Sequence, residues 1–352
     1  MSDVIDKMTS KMADWLSGEG RDSDIVISSR ARLARNLLNF PFVDRSTEDQ
    51  QKTILSAVLS AAENTEFLKN ALYFDISSVN ELNRQFLVER RLISTDFAEG
   101  ENPRGLLVTA DEQIGVMINE EDHLRIQVIH SGFSLEKAWY DVRQLDQELS
   151  SYLDYAFSER FGYLTACPTN VGTGVRFSVF VHLPALTFTK EIEGVFSEMI
   201  PAGIAVRGFY GEGSQIIGNF FQISNQYTLG WTEQGILDRL IPLINCFITK
   251  ERSAREHVRN DQRVTIEDKV FRAQGILTKA KVLSFIEFLD LLSALRFGID
   301  LDMLPKIDGR IFNELMVLTQ PAHIQKTEGK VLNELERDIL RATLVRGKLN
   351  LN

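Results

Sequence analysis

The sequence predicts an α+β protein that ends in a small all-helical part. Up to about residue 260, segments with the alternation of strands are interspersed with helical segments. Beyond that point the alternation stops and helical periodicity dominates. We therefore expect an N-terminal helix over 1–21, a large mixed domain over 22–258 and a helical C-terminal domain over 259–352.

Hydrophobic periodicity places the elements in order. Residues 1–20 form an amphipathic pattern, and a short apolar strand at 24–27 follows it. Further strands are predicted at 71–76, 105–110, 113–119, 124–128, 175–183, 204–210 and 220–225. Helices are predicted at 46–65, 81–92, 134–158, 189–199, 232–260, 266–275, 284–297, 309–318 and 333–347, with a polar loop at 98–103.

Composition restricts the class of protein. The 352 residues are 44% hydrophobic and 25% charged, and their net charge of −10 argues against a general grip on nucleic acid. Cys167 and Cys246 resemble neither a disulfide framework nor a zinc site, which favours a reducing compartment. The sequence has no apolar run of about 18 residues that would predict a membrane span. We expect a cytoplasmic protein that contacts neither nucleic acid nor membrane directly.

A basic segment follows the first predicted strand. Arg30 and Arg32 are two residues apart, so on extended backbone they project the same way. Two parallel guanidinium groups suit a phosphate clamp. The alternative is a solvated basic edge, and this stretch alone does not decide between them.

An acidic turn precedes another strand. Residues 120–122 are three consecutive acids, and Arg125 then lies on the polar side of the alternation. Carboxylates at a strand end beside an outward arginine are a frequent arrangement in active sites. The alternative is an ordinary acidic surface turn. His123 is interpreted as a structural histidine with no catalytic role.

A turn of small residues runs from Cys167 into the strand that carries Arg176. Gly172 and Gly174 allow a sharp turn or a close approach to a ligand. The cysteine, the turn and the strand-borne arginine make a candidate site. The alternative is a loop with a buried cysteine.

Together these features indicate chemistry on a phosphate. Arginines at strand positions or strand entries recur through an acidic protein, whereas neither G-x-x-x-x-G-K-[ST] nor a G-x-G-x-x-G between strand and helix is present. A bound nucleotide would therefore be held by arginine side chains. Glu121 and Glu212 could clamp a guanidinium and remove its proton, and Cys167 could add a third negative contact. Phosphoryl transfer from ATP to a guanidino nitrogen would use all these groups.

At this point the chain resembles the guanidino (phosphagen) kinase family over about residues 22–255. The resemblance rests on four motifs in order: Ile27-Ser28-Ser29-Arg30-Ala31-Arg32, Asn119-Glu120-Glu121-Asp122-His123-Leu124-Arg125, Cys167-Pro168-Thr169-Asn170-Val171-Gly172-Thr173-Gly174-Val175-Arg176, and Arg207-Gly208 with Glu212. It implies a large antiparallel sheet flanked by helices, with ATP and Mg²⁺ as cofactors and no metal-ligating side chains. It also implies that Glu121 is the catalytic base and that Glu212 and Cys167 seat the guanidinium.

The ATP-binding residues implied by this resemblance lie in five segments. They are Ser28, Ser29, Arg30, Ala31, Arg32, Arg91, Arg125, Arg176, Phe177, Ser178, Val179, Phe180, Arg207, Gly208, Phe209, Tyr210 and Gly211. Arg91 and Phe180 stand where the family has adenine-side histidines, which leaves the adenine contacts open. An aromatic or arginine face could still stack on a base.

Two further departures from the phosphagen kinases point to one branch of the family. Only 27 residues precede Ser28, where phosphagen kinases have a helical domain that encloses a small substrate, and a helical domain follows instead. This combination is similar to the bacterial protein arginine kinases. Arg337-Asp338-Ile339-Leu340-Arg341-Ala342 also matches the R-D-x-x-R-A motif of that branch, which implies a regulatory phosphoarginine-binding pocket made by Arg337, Asp338 and Arg341. The alternative for this pair of arginines is a solvated helix face.

The resulting prediction is a protein arginine kinase that marks client proteins for regulated proteolysis in a stress response. The resemblance implies a zinc-containing activator protein, a stress-regulon repressor and Clp protease components as partners, and a homo-oligomeric state. Two alternatives remain at this point: a kinase for a free guanidino metabolite, and a non-catalytic adaptor that binds phosphoarginine.

Overall fold

The computed structural model describes residues 2–209 and 216–349 of the chain. The helices are α1 Ser2–Ser10, α2 Glu48–Glu63, α3 Glu81–Glu89, α4 Thr95–Glu99, α5 Leu135–Ser150, α6 Pro184–Phe188, α7 Ile192–Met199, α8 Glu233–Asp261, α9 Arg263–Lys279, α10 Phe285–Asp300, α11 Gly309–Leu318, α12 Pro321–Glu328 and α13 Glu334–Leu349. The strands are β1 Val26–Arg35, β2 Leu72–Asp75, β3 Gly105–Val108, β4 Ile114–Ile118, β5 Leu124–Ser131, β6 Phe157–Ser158, β7 Gly162–Tyr163, β8 Val175–His182, β9 Ile204–Arg207 and β10 Phe220–Asn225.

Eight strands form one sheet in the order β2-β3-β4-β5-β1-β8-β10-β9, and β6 and β7 form a separate hairpin. Every neighbouring pair in the large sheet is antiparallel. The large antiparallel sheet flanked by helices, followed by helices α8 to α13, confirms the predicted fold class.

The inner strand β1 separates two chemically different faces of the sheet. Successive side chains of a strand point to opposite faces. Ala31 and Leu33 point to one face, where their antiparallel partners include Val128 and Phe177. Helix α5 packs on β1 and β5 there, so this face is the main core. Full burial of an aliphatic or aromatic side chain stabilises the fold by roughly 1.5–3 kcal/mol.

Among the described residues, an apolar layer covers one end of the opposite face. At β2, β3 and β4 a second apolar cluster unites Phe74 and Met117 of the sheet with Phe86 of α3 and Phe97 beside it. Helix α12 packs on α3 in the same layer. This cluster stops at β4, and the polar part of the face on β5, β1, β8 and β9 lies beside it.

The long helix α8 connects the sheet to the C-terminal helices. Its buried Glu251 accepts the backbone N–H groups of Ala185 and Leu186 at the start of α6, at 3.1 and 3.0 Å. Arg255, one turn later, bonds to Glu251 and also pairs with Asp300 at the end of α10. The predicted domain boundary after residue 258 falls within α8 and stays a prediction. Within the described part of the chain, no helix is long and apolar enough to span a membrane.

Several predicted helices differ in extent from the observed ones. The first ends at Ser10 and gives way to a 3-10 turn at Asp14–Leu16, although Trp15 and Leu16 are buried as the pattern implied. The stretch predicted as helical over 134–158 ends at Ser150, after which the chain turns into the β6–β7 hairpin. The predicted helix over 189–199 begins only at Ile192.

Helix α12 was missed altogether. It begins with Pro321 and is followed by Gly329 with a φ of +70°, and both residues are ordinary helix boundary signals. The segment between them lacks a long apolar stripe, so periodicity does not predict it. Its first turn is capped by Glu89, whose carboxylate accepts the backbone N–H groups of Ala322 and His323 at 2.7 and 2.9 Å. That contact joins residues more than 230 positions apart and has no local signature.

The turn before β8 requires glycine. Gly174 has a φ of +64°, and a Cβ there would lie 2.7 Å from the carbonyl oxygen of Ala34. We expect Gly174→Ala to lower the free energy of unfolding by more than about 1 kcal/mol. Gly275→Ala is the matched control, because that glycine lies within α9 with nothing within 4 Å of the added Cβ. It should raise stability by about 0.5–1 kcal/mol in the same denaturant titration. Equal effects of the two changes would contradict this account.

Candidate active site

Five arginines converge on the polar part of the face opposite the main core. Directly opposed residues of antiparallel strands share a face. Arg32 is opposed to Arg176 on β8, and Arg125 on β5 is opposed to Ala34, two residues from Arg32. Arg30 lies on the same side of β1 as Arg32. Arg207 on β9 is opposed to Gln222 on β10, which is in turn opposed to Phe180 on β8, so Arg207 shares this face as well. The sheet thus brings together arginines that the sequence places between 30 and 207.

These guanidinium groups form a concentrated positive surface. Burial, together with the charges of Arg91, Arg125, Arg176 and Arg207, lowers the pKa of Arg30 to about 9. Burial and the neighbouring arginines likewise lower the pKa of Arg32 well below its ordinary value. The Nε atom of Arg32 is buried and has no hydrogen-bond partner in the described part of the chain. Clustered donors of one charge suit a polyanion such as a triphosphate.

Glu120 supplies a negative counter-charge to this cluster, although the sequence alone assigned no role to this residue. Its Oε1 accepts from Nη1 of Arg125 at 2.5 Å and from the hydroxyl of Ser94 at 2.5 Å. Burial alone would raise the pKa of Glu120, but the Arg125 guanidinium and the Ser94 hydroxyl hold it at about 2. Glu120 therefore stays ionised and orients Arg125. Three adjacent acids gave no sequence signal as to which would pair.

Glu121, the next residue, is exposed at the rim of the arginine face. Desolvation and the adjacent carboxylates of Asp122 and Glu120 raise its pKa. Its side chain is hydrogen-bonded to the thiol of Cys167, which also lies 3.0 Å from the hydroxyl of Thr169. The structure thus brings together the acidic turn and the cysteine turn, which are more than 40 residues apart in the chain.

Asp122 fastens these two turns to the core. Its Oδ1 accepts from Nδ2 of Asn36 at 2.6 Å and from the backbone N–H of Ala166, next to Cys167, at 2.7 Å. His123 accepts the backbone N–H of Leu37 at its Nδ1, so its Nε2 donates to the carbonyl oxygen of Pro41 at 2.8 Å. The absence of a catalytic role for His123 is consistent with these structural bonds.

Arg91 enters the site from the end of α3 with a φ of +61°. Its guanidinium lies 4.2 Å from the ring centroid of Phe180 and donates to the carbonyl oxygen of Phe209 at 3.1 Å. The amide of Gln127 donates to the backbone carbonyl of Arg91 at 3.0 Å. The two residues expected at the adenine side are therefore in contact with each other, and the Phe180 ring is buried.

Other predicted ATP contacts divide between the two faces of the sheet. Ser28 and Ser178 share the face of Arg30. Ser29 faces the core side, where its hydroxyl donates to the carbonyl oxygen of Gly132 at 2.9 Å. The side chains of Ala31, Phe177 and Val179 point to the same core side. Gly208 and Phe209 are buried, whereas Tyr210, Gly211 and Glu212 lie outside the described residues.

A further arginine of the basic segment, Arg35, lies on the core side. It is 2% exposed and forms hydrogen bonds from Nε and Nη2 to the carboxylate of Asp146, the shortest at 2.7 Å. Its guanidinium also stacks on Tyr163 at 3.5 Å. Arg35 is thus neutralised within the fold.

The predicted phosphoarginine motif lies on α13. The Nε atom of Arg341 donates to the carbonyl oxygen of Thr319 at 2.7 Å. Its Nη1 atom donates to the carbonyl oxygen of Leu283 at 2.8 Å and to the carboxylate of Asp338. Arg341 is buried and Arg337 is partly exposed. The structure therefore keeps Asp338 and Arg341 together in one network.

Three consecutive residues at the end of α3 connect this region to the arginine face. Glu89 caps α12, and burial raises its pKa to about 8 against the opposing backbone hydrogen bonds. Arg90 is buried, and its Nη2 donates to Oε1 of Glu112 at 2.5 Å. Its Nη1 lies 3.5 Å from Nε2 of His323. Arg91 then reaches Phe180. Within the described residues, no group of three or more His, Cys, Asp or Glu is arranged to hold a metal ion.

Comparisons with known proteins match this architecture along the chain. Residues 52–254 match the family described as ATP:guanido phosphotransferase, C-terminal catalytic domain, and residues 263–352 match the Protein-arginine kinase McsB C-terminal domain. A protein-arginine kinase of Halothermothrix orenii is 44% identical over 351 residues, covering 100% of this chain and 99% of the relative. That of Brevibacillus brevis is 42% identical over 344 residues, covering 97% of this chain and 96% of the relative.

Solved structures share the fold. The duplicated taurocyamine kinase from Schistosoma mansoni, with bound transition state analog components, has a TM-score of 0.61 at 21% identity. The match covers 79% of this chain and 43% of that one, so this chain spans less than half of the duplicated protein. A lombricine kinase has a TM-score of 0.58 at 22% identity, with 70% of each chain covered.

Removing one arginine from the cluster should have opposite effects on stability and on ligand binding. We expect Arg30→Met to raise the thermal unfolding midpoint of the ligand-free protein, because a partly buried positive charge is removed from beside four others. The same change should weaken ATP binding by at least about tenfold, since charge-assisted hydrogen bonds are lost. Calorimetry and ATP titration measure both quantities. Arg45→Met, at an 82% exposed side chain, is the control and should change neither. A destabilised Arg30→Met variant would contradict the repulsion inferred here.

Proposed function

The chain belongs to the ATP:guanido phosphotransferase family and, within it, to the protein-arginine kinases, and we propose that it transfers the γ-phosphate of ATP to arginine side chains of client proteins. One observation carries this proposal. An exposed carboxylate with a raised pKa, that of Glu121, stands beside the Cys167 thiol at the rim of a face that carries five arginines. A base for a guanidinium and a surface for a polyphosphate are thus adjacent.

The arginine face would hold the nucleotide. Arg30, Arg32, Arg125, Arg176 and Arg207 supply donors for the phosphate oxygens, and their fixed charges stabilise the phosphoryl group as it moves between donor and acceptor. Mg²⁺ in such enzymes is bound largely by the nucleotide phosphates, and it would help to neutralise them here. Glu120 keeps Arg125 in place for this task.

Glu121 would act on the acceptor. A protonated guanidinium has no free electron pair to attack phosphorus and is a very weak acid. Glu121 accepts one N–H proton, the nitrogen attacks the γ-phosphorus in line, and the bond from that phosphorus to the bridging oxygen of ADP breaks. The proton remains on the carboxyl group, which its raised pKa favours. Cys167, and Glu212 outside the described residues, would seat the rest of the guanidinium.

The exposure of Glu121 supports a macromolecular acceptor. An arginine side chain that projects from a polypeptide can reach a carboxylate at the surface, whereas a small metabolite is usually bound in an enclosed cleft. The full-length relatives at 44% identity carry the name protein-arginine kinase, which agrees with this assignment.

The C-terminal match supports finer proposals. We propose that Arg337, Asp338 and Arg341 bind phosphoarginine and regulate activity, and that the chain forms a homo-oligomer in the cytoplasm. We also propose that modified clients are passed to Clp proteases during stress, with a zinc-containing activator and a stress-regulon repressor as further partners. These proposals rest on the family of residues 263–352.

One incubation separates the candidate functions. The protein is mixed with MgATP and either a denatured arginine-rich protein or free arginine, and acid-labile phosphate is measured. Label on the protein is expected. Label on free arginine alone would indicate a metabolite kinase, and binding of phosphoarginine peptides without any transfer would indicate an adaptor.

Replacing the proposed base should stop transfer without loss of ATP binding. We expect Glu121→Gln to lower kcat by at least about 100-fold, because the amide cannot accept the proton. Its ATP affinity should be unchanged. Cys167→Ser should lower kcat less, since a hydroxyl can still bond to Glu121. Unchanged turnover in Glu121→Gln would remove the base assignment.

The rate of transfer should depend on pH through the same carboxylate. Glu121 must be ionised to act, and its pKa is raised, so the rate should fall as pH decreases, with a midpoint above the usual 4.5. Glu120→Gln should shift this midpoint to lower pH, because it removes a neighbouring negative charge and leaves Arg125 unneutralised. Glu63→Gln, at an exposed position at the end of α2, is the control and should leave the profile of kcat against pH unchanged.

A further inference from the structure

Exposed apolar side chains border the loop that carries Cys167. Phe157 and Phe161 on the β6–β7 hairpin are 56% and 43% exposed. Tyr227, Leu229 and Trp231 on the segment after β10 are 57%, 52% and 47% exposed. We call these five side chains the apolar rim. Single exposed apolar residues are ordinary, but a group of them around one loop marks an interaction surface.

Hydrogen bonds attach both parts of the apolar rim to this loop. The hydroxyl of Thr228 lies 2.9 and 2.7 Å from the carbonyl oxygens of Thr169 and Val171. On the other side, the backbone of Tyr163 exchanges two hydrogen bonds with Gly172, at 2.7 and 3.2 Å. The rim therefore has a fixed position relative to the acceptor-side thiol, Cys167.

A cavity of about 250 Å³ opens next to the Tyr227 side of the rim. Its lining includes Ile204, Tyr227, Trp231, Ile236, Leu240 and Leu243. An apolar cavity of about 150 Å³ already holds a benzene molecule, so this one has room for a leucine or phenylalanine side chain. The guanidinium of Arg239, which also lines the cavity, lies 5.1 Å from the ring centroid of Trp231.

We propose that the cavity and the apolar rim bind an apolar side chain of the client polypeptide, a few residues from the arginine that is phosphorylated. This inference rests on the proposed function and deepens it. The hydrogen bonds of Thr228 join the Tyr227 side of the cavity to the Cys167 loop, and an extended chain advances about 3.3 Å per residue, so a client segment of a few residues would reach from one to the other. The surface is continuous with the site where the arginine must bind.

The surface selects a class of client. Folded proteins bury most of their large apolar side chains, whereas an unfolded segment presents them beside its arginines. An arginine within an unfolded, apolar segment therefore occupies both the acceptor site and the cavity. An arginine on the polar surface of a folded protein occupies the acceptor site alone.

The test uses two peptides with the same central arginine. One carries leucine and phenylalanine two to four residues away, and the other carries serine at those positions. We expect the full-length protein to phosphorylate the apolar peptide with a kcat/KM at least about tenfold higher. Trp231→Ala should reduce this ratio to about one and leave the serine peptide within about twofold of its original kcat/KM. Tyr140→Ala, at a 63% exposed aromatic on α5, is the matched control and should keep the preference.

The outcomes separate this inference from the proposed function. No transfer to either peptide by the unaltered protein would overturn the proposed function. Equal kcat/KM for the two peptides would overturn only the inference. A preference that survives in Trp231→Ala, together with loss of self-association in light scattering, would assign the rim to contacts between copies of this chain and would also overturn it.

Discussion

The mutual repulsion of guanidinium groups on one sheet face is the constraint on which this structure depends. Two of them stand on the inner strand β1, and period-two alternation sends them away from the core that Ala31 and Leu33 enter. Burial and the neighbouring like charges both disfavour the charged form of Arg30 in the ligand-free fold and lower its pKa to about 9. A bound polyanion would relieve the same repulsion, so the proposed affinity for phosphate would have the same cause.

The surrounding layers hold this charge in place. Glu120 orients Arg125, while Arg35 is turned to the other face and neutralised by Asp146. Helix α3 ends beside the arginine cluster, and Arg91, which follows this helix, stacks on the ring of Phe180. The two residues before Arg91 contact the C-terminal helices, since Glu89 caps α12 and Arg90 meets His323. A change at α12 therefore has a short, buried route to the arginine face.

The acceptor side is built from turns, and hydrogen bonds give those turns a fixed shape. Asp122 joins the acidic turn to the loop of Cys167, and Thr228 joins that loop to the segment with Trp231. The proposed base, the Cys167 thiol and the apolar rim thus lie on connected turns beside the arginine face. The proposed acceptor site and the proposed recognition surface are therefore joined by hydrogen bonds.

The sequence by itself determined the fold class and most of the elements, because period-two and helical patterns are local and persist over many residues. It also indicated that Arg30 and Arg32 project together, since strand geometry alone requires this. Only the tertiary structure decided that Glu120 pairs with Arg125 and that Glu121 is hydrogen-bonded to Cys167. It also decided that Arg35 lies on the core side of the sheet, away from the other arginines. It also decided the existence of α12, whose cap comes from Glu89. Each of these depends on strand register or on contacts between residues distant in the chain, and neither leaves a local pattern.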